Sequence, residues 1–191
     1  PRTFSSAASD VYKRQIVAEA EFRLAEIHYR IIEDFDKALF LYKSSLNKSP
    51  SKTLKEKNIL RIADIFKSKA DFNSSIKFLD STYNIHITPE IKNKLIEMHL
   101  FSGNPDTSLF LINESFETIL PDNVYFNDLM ELRDFINHFY TNADEKGKEG
   151  FIDFLKSESL LKQRKVFEAN QLLVHIKSSN NSKDIAPLLL L

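Results

Sequence analysis

Apolar side chains recur along this chain at helical spacing, and no segment sustains the alternation of apolar and polar residues that a strand would need. A first apolar stripe covers residues 22–32, where the acidic segment 33–36 interrupts it with groups suited to a helix start. A second stripe covers 38–46, and Pro50 ends it because proline cannot continue a helix. The pattern predicts two helices joined by a tight turn.

The same arrangement returns twice, with stripes at 59–66 and 76–83, and again at 91–101 and 109–112. Residues at one place on the second helices are small and lie 37 and 33 residues apart: Ala38, Ser75, Ser108. The corresponding residues on the first helices lie 38 and 33 apart: Ala25, Ala63, Ile96. The first interval is one residue longer on the first helices than on the second helices, which one extra residue in the first turn, near Glu33, would produce. Small residues are expected where two helices cross closely.

Beyond residue 121 the repetition becomes irregular. Asp122 or Asn123 is expected to cap a helix whose apolar residues lie within 126–139, and 141–150 is expected to be a polar loop or a frayed turn with two glycines. A hairpin then returns with stripes at 151–161 and 166–176. The expected organisation is a tail, three hairpins, a spacer or degenerate half-repeat, and a further hairpin that leads into the start of a helix: 1–15, 16–121, 122–145, 146–191.

Three groups of residues carry a resemblance to a known family. They are the run Leu24-Ala25-Glu26-Ile27-His28-Tyr29, the run Asp34-Phe35-Asp36-Lys37-Ala38, and the later residues Tyr42, Ser45 and Pro50. Together they resemble a tetratricopeptide repeat (TPR), with a good match over 18–50, a fair one over 55–89 and a weak one over 90–121. The resemblance implies an all-α fold, an α-solenoid of about nine to ten helices in antiparallel hairpins whose stacking buries a continuous core.

Both ends of the chain depart from this pattern. Residues 1–15 carry no apolar helix stripe, and their second part resembles translated sequencing-adaptor sequence of the kind found in metagenomic gene predictions; a short disordered tail is the alternative. Residues 182–186 are expected to start a helix, and 187–191 end it on an apolar run, whereas a capping helix normally has a polar outer face. We therefore expect the natural protein to continue beyond both ends, so its compartment, cytoplasmic or periplasmic, stays open.

Composition excludes several classes of function. With 26 basic and 27 acidic residues, the chain has no broad field for nucleic acid or an anionic membrane surface, and acids interleave with its lysines. The absence of cysteine excludes disulfides and thiolate chemistry, and the three glycines do not form the cluster that a glycine-rich phosphate loop needs. No apolar run approaches the roughly 18–20 residues that span a bilayer.

Candidate chemistry is equally sparse. The five histidines show no metal-binding spacing such as HExxH, and no serine stands in a nucleophile motif. His28 and His99 occupy matching repeat positions and are expected to fill the place that Phe66 fills in the second copy. The sequence therefore predicts no catalytic residue, no cofactor and no metal site.

One constellation suggests a binding surface. Glu26, Asp64 and Glu97 occupy the same position on successive first helices. In TPR arrays these helices line a concave groove that holds peptides, so the resemblance implies an acidic ladder for lysines or arginines of a partner segment. The alternative is that they are ordinary exposed polar positions. Further contacts are expected from residues nearby on the same helices: Tyr29, Arg30, Lys67, Phe101.

The resulting functional hypothesis is a non-catalytic scaffold that binds a peptide or helix of a partner protein in its concave surface. An alternative is an accessory repeat fragment of a larger bacterial enzyme, sensor or envelope-assembly lipoprotein whose chemistry lies elsewhere. Self-association through exposed repeat faces is a third possibility, and the sequence does not fix the oligomeric state. Charge reversal at Glu26 and Glu97 is expected to weaken partner binding without lowering the melting temperature.

Overall fold

The computed structural model describes residues 2–48, 50–83 and 88–178, and all regular structure in these ranges is helical. The expected all-α class is therefore confirmed for this part of the chain. Its α-helices, nine in number, are α1 Arg2–Ile27, α2 Phe35–Asn47, α3 Lys52–Ser68, α4 Phe72–Tyr83, α5 Pro89–Phe101, α6 Pro105–Phe116, α7 Phe126–Ile136, α8 Glu145–Lys162 and α9 Val166–Ser178. Two π-helical segments, His28–Ile32 and Asn137–Thr141, directly continue α1 and α7. None of the described helices is both long and apolar enough to cross a bilayer.

The chain forms two compact units, residues 1–91 and 92–191. In the first unit α2 runs antiparallel to α1. A contact that shows this is the 2.7 Å hydrogen bond that Ser45, near the end of α2, donates to the carbonyl of Ala18. The next helix, α3, reverses again, and its Asn58 donates to Ser45 Oγ over 3.0 Å. The core between these three helices is Ala25, Ala38, Leu41, Tyr42, Ile62 and Ile65.

The second unit has its own apolar core, to which residues of α5 to α9 contribute: Ile96, Leu100, Ile112, Leu129, Ile136, Phe151, Leu155, Ile176. Aromatic rings fill the space around it, with Phe135 and Tyr140 both packed against Phe151. Burying apolar area of this kind is the main favourable term that holds each unit together.

Four helical hairpins turn through the same local conformation. Each turn contains one residue with positive φ: Glu33 (59°), Ala70 (56°), Gly103 (83°), Arg164 (62°). At the last three, the positive-φ residue donates its N–H to the carbonyl three residues earlier, and the next residue donates to the carbonyl five residues earlier. This is the Schellman arrangement that satisfies the last carbonyls of a helix.

The shared turn fixes a shared register. The fifth residue after each positive-φ residue is small and fully buried: Ala38, Ser75, Ser108, Ala169. Two of these residues show how closely the helices approach, since Ser75 Oγ donates to the Ala63 carbonyl over 3.4 Å and Ser108 Oγ donates to the Ile96 carbonyl over 3.0 Å. The prediction that small residues stand where paired helices cross is confirmed at these sites.

The extra residue of the first hairpin lies in the helix rather than in the turn. Asp34 N–H donates to the carbonyl of His28, six residues back, where the other turns span five. The π-helical segment His28–Ile32 accounts for the difference, because a π turn holds one more residue than an α turn. With the extra residue in this segment, His28, Phe66 and His99 occupy equivalent positions, as expected. The carbonyl of each accepts the backbone hydrogen bond that closes its turn.

The structure departs from the sequence-based expectations at several places. Helix α1 begins at Arg2, so residues 2–15 are helical and not a disordered tail, although 8–17 contain no buried side chain. The origin of this segment in adaptor sequence stays a prediction. Gly147 and Gly150 lie buried within α8, which Asp144 caps by accepting the Gly147 N–H over 2.8 Å, and not in a polar loop.

The expected cap at Asp122 or Asn123 is also displaced. Helix α7 begins at Phe126, and Asn123 Oδ1 instead accepts the N–H of Tyr125 over 3.0 Å in the turn before it. The helix predicted from residue 182 onward lies outside the described residues.

Candidate functional site

A cluster of charged side chains surrounds Glu26 on α1. Tyr42 Oη, from α2, donates to Glu26 Oε1 over 2.5 Å, and Arg61 Nε, from α3, donates to the same oxygen over 2.7 Å. Arg30 Nε reaches the other oxygen over 2.7 Å. Arg61 also contacts Asp64 Oδ2 through Nη1 over 3.1 Å. We call the surface formed by Glu26, Arg30, Arg61 and Asp64 the α1–α3 face.

The electrostatics of this cluster fix its protonation. Burial raises the pKa of Glu26, but hydrogen bonds from Tyr42 and Arg61 and the charges of Arg61 and Arg30 outweigh it and leave the pKa below its usual 4.5. Burial together with the bond to Glu26 raises the pKa of Tyr42 far above its usual value. Burial lowers the pKa of Arg61, and its carboxylate partners raise it further than burial lowers it. These groups keep their charge states at neutral pH, so they form a fixed ionic network and not an acid–base pair.

The repeat register explains why the predicted carboxylates occupy equivalent positions on their helices. Glu26, Asp64 and Glu97 each follow the buried position at which the first helix of a hairpin meets the second. The fourth hairpin continues the series with Glu158, which follows the buried Ser157. Sequence reasoning missed Glu158, although it stands six residues before the positive-φ Arg164, as Asp64 stands before Ala70.

Cations of the same chain already pair with the predicted acidic ladder. Arg61 and Lys94 each precede an acid by three residues, which places the two charges side by side on a helix; Arg61 pairs with Asp64, and Lys94 Nζ lies 2.7 Å from Glu97 Oε2. Glu26 has both Arg30 and Arg61. A lysine or arginine of a partner would therefore have to displace these cations, because each of the three acids already has a basic neighbour.

The remaining predicted residues fall into different surroundings. Tyr29 packs against Phe35, with ring centroids 5.8 Å apart, at the edge of the first core. Lys67 is partly exposed in the last turn of α3. Phe101 lies on α5 with the ammonium of Lys162 4.3 Å from its ring centroid. The structure thus brings Glu26, Arg30 and Asp64 together in the first unit, while Glu97 and Phe101 belong to the second.

Two members of the network could not be read as functional from the sequence. Tyr42 belongs to an apolar stripe, and only its hydroxyl reaches Glu26. Arg61 connects two helices that are separated by α2 along the chain. Within the described ranges no group of three His, Asp or Glu side chains could hold a metal ion.

Comparison of the chain with protein-family models, with curated proteins and with solved structures gave no match.

Proposed function

We propose that this chain is a non-catalytic protein-interaction module, an α-solenoid of TPR-like hairpins, and that its α1–α3 face binds a peptide or helix of a partner. The observation that supports this most directly is the bridge that Arg61 makes between Glu26 and Asp64. It joins the first helices of two successive hairpins and holds their polar groups in one place. A surface organised before binding loses less conformational entropy when a partner docks.

The charges of this face indicate the chemistry of the partner. Glu26 and Asp64 already accept from arginines, whereas the side chain of Arg30 is 57% exposed and contacts a carboxylate that has two other donors. An acidic side chain of the partner can therefore approach Arg30 without leaving a buried group unpaired. We expect the bound segment to carry an acidic residue for Arg30, and this revises the basic segment expected from the sequence.

The test uses peptides selected from a random display library against the wild-type chain. Their dissociation constants are then measured by fluorescence anisotropy for the wild type, Arg30→Glu and a control, Lys156→Glu. The control residue is 59% exposed on α8 and paired with Asp153, so the two substitutions are alike in exposure and pairing. We expect Arg30→Glu to weaken binding at least about tenfold and the control to change it less than about twofold, at equal melting temperatures.

Two outcomes would contradict the proposal. One is that no selected peptide binds with a dissociation constant below about 1 mM. The other is that Arg30→Glu and Lys156→Glu bind every selected peptide as the wild type does.

A further inference from the structure

Helix α1 carries a second, apolar surface. Ile16, Ala20, Leu24 and Ile27 follow one another at spacings of three or four residues, and all are exposed. Ile31, in the π-helical segment, continues the row and is 76% exposed. We call these five residues the α1 stripe. An exposed row of large apolar side chains on one helix marks a surface that another molecule covers.

The internal register shows what kind of element fits there. Aligning Ala25 with Ala63 gives the first four residues of the α1 stripe equivalents in α3 that are all buried: Leu54, Asn58, Ile62, Ile65. Helix α2 covers three of them, because Asn58 donates to Ser45 and the two isoleucines pack with Leu41 and Tyr42. The α1 stripe is thus the face on which the second helix of a hairpin packs.

The α1 stripe also borders a groove of about 420 Å³ between α1 and the start of α3. Its apolar lining comes from Ile16, Ala20 and Leu54, and the ion pair of Glu19 with Arg23 lies at its rim. The groove leaves room for side chains of a docked helix.

The last described helix offers the matching surface. In the first unit Asp36, two residues before Ala38, pairs with Lys69, which directly follows α3. Lys43, five residues after Ala38, lies over the ring of Phe66 in α3. These two positions therefore point towards the helix that follows. The equivalent residues are polar in the second and third hairpins: Asn73 and Asp80 in α4, Asp106 and Asn113 in α6. In α9 they are Phe167 and Val174, which are 72% and 56% exposed.

We propose that α9 of one copy of this chain packs on the α1 stripe of a second copy, head to tail. The turn register brings Phe167 to the place of Asp36, and it brings Ile32, which precedes the positive-φ Glu33 and is 56% exposed, to the place of Lys69. An ion pair within the chain is thus replaced by an apolar pair between copies. Because the two surfaces differ, the contact is heterologous, and it adds copies in series as the concentration rises.

The experiment measures the mass of the full chain by light scattering over a range of concentrations. The wild type is expected to grow in average mass, whereas Ile31→Glu and Phe167→Glu, each with a charge in the interface, stay monomeric. Both residues are exposed, so neither substitution disturbs a core. The control is Phe110→Glu on α6, 68% exposed and outside both surfaces, which should associate as the wild type does.

Mixing the two monomeric variants distinguishes head-to-tail packing from a symmetric dimer. The Ile31→Glu chain keeps an intact α9 and the Phe167→Glu chain keeps an intact α1 stripe, so an equimolar mixture should form dimers and nothing larger. The proposal is overturned if the wild type remains monomeric up to about 1 mM. It is equally overturned if Phe167→Glu associates like the wild type, or if the mixture stays monomeric.

Discussion

Arg61 Nε lies 2.7 Å from Glu26 Oε1, and this contact joins two helices that have α2 between them in the chain. The same carboxylate oxygen accepts from Tyr42, so residues of α1, α2 and α3 meet at one atom. A partly buried charge with several donors stabilises the fold only while its partners are present. The contact therefore couples the packing of the first unit to the surface proposed to bind a partner.

Substituting Glu26→Gln removes the negative charge and keeps the shape. We expect the free energy of unfolding to fall by about 1–2 kcal/mol, because Arg61 and Arg30 lose a charged acceptor. Arg30→Gln serves as the control and should cost less than about 0.5 kcal/mol, since Arg30 is exposed and Glu26 keeps its other donors. Urea unfolding followed by circular dichroism measures both. Equal losses for the two variants would show that the network adds nothing beyond an ordinary surface pair.

The lowered pKa of Glu26 predicts how stability depends on pH. A carboxyl group whose pKa is lower in the folded state stabilises the fold above its unfolded value, here 4.5, and loses that contribution as the pH falls through the folded pKa. The difference in unfolding free energy between wild type and Glu26→Gln should hold constant from neutral pH down to about pH 5, then shrink towards about pH 3. Urea titrations at several pH values measure it. A difference that persists undiminished at the acidic end would contradict the assignment.

The hairpin turns allow a matched pair of substitutions that should change the free energy of unfolding in opposite directions. Ala70 adopts φ of 56°, a conformation that costs a side chain about 1 kcal/mol, so Ala70→Gly should raise the free energy of unfolding by about 0.5–1 kcal/mol. Gly103→Ala should lower it by about 1 kcal/mol. A Cβ at residue 103 would meet Ile152 Cγ2 at 3.6 Å, an ordinary contact, so the loss comes from the backbone alone. Changes of the same sign in the two variants would argue against the shared turn.

The small position on the second helices predicts a strong dependence on size. Ser108 is fully buried, and its hydroxyl donates to the Ile96 carbonyl over 3.0 Å. Ser108→Ala should change the free energy of unfolding by less than about 1 kcal/mol, whereas Ser108→Leu should lower it by about 2–3 kcal/mol because the helices cannot separate without strain. Thermal unfolding of both variants provides the comparison. If the leucine is tolerated as well as the alanine, close crossing is not what keeps this residue small.

The periodic part of the fold could be predicted from the sequence because local features of the sequence mark each repeat. Small residues, apolar stripes and turn residues recur at fixed offsets, so Ala38, Ser75 and Ser108 could be aligned without a structure. The fourth hairpin was recognised from its apolar stripes, but the acidic position Glu158 on its first helix was not. Its turn depends on Arg164 at positive φ, a residue type that does not mark such turns.

Other features depended on contacts that no local pattern encodes. The pairing of Glu26 with Arg61 follows from how far apart α1 and α3 lie once α2 has packed between them. Residues 2–15 have no apolar stripe, yet they continue α1, since extending an existing helix costs far less than starting one. Gly147 and Gly150 suggested a loop because glycine weakens a helix by about 1 kcal/mol, but both are buried in α8.

The widened turn at His28–Ile32 has a consequence for the packing of the first hairpin. An extra residue in a regular α-helix rotates everything beyond it by about 100° and would swing α2 away from the core. Here the surplus is absorbed before the reversal of the chain, so Ala25 and Ala38 still share one core. The segment therefore accommodates one residue more than the other hairpin turns hold, while the helices on either side keep their packing.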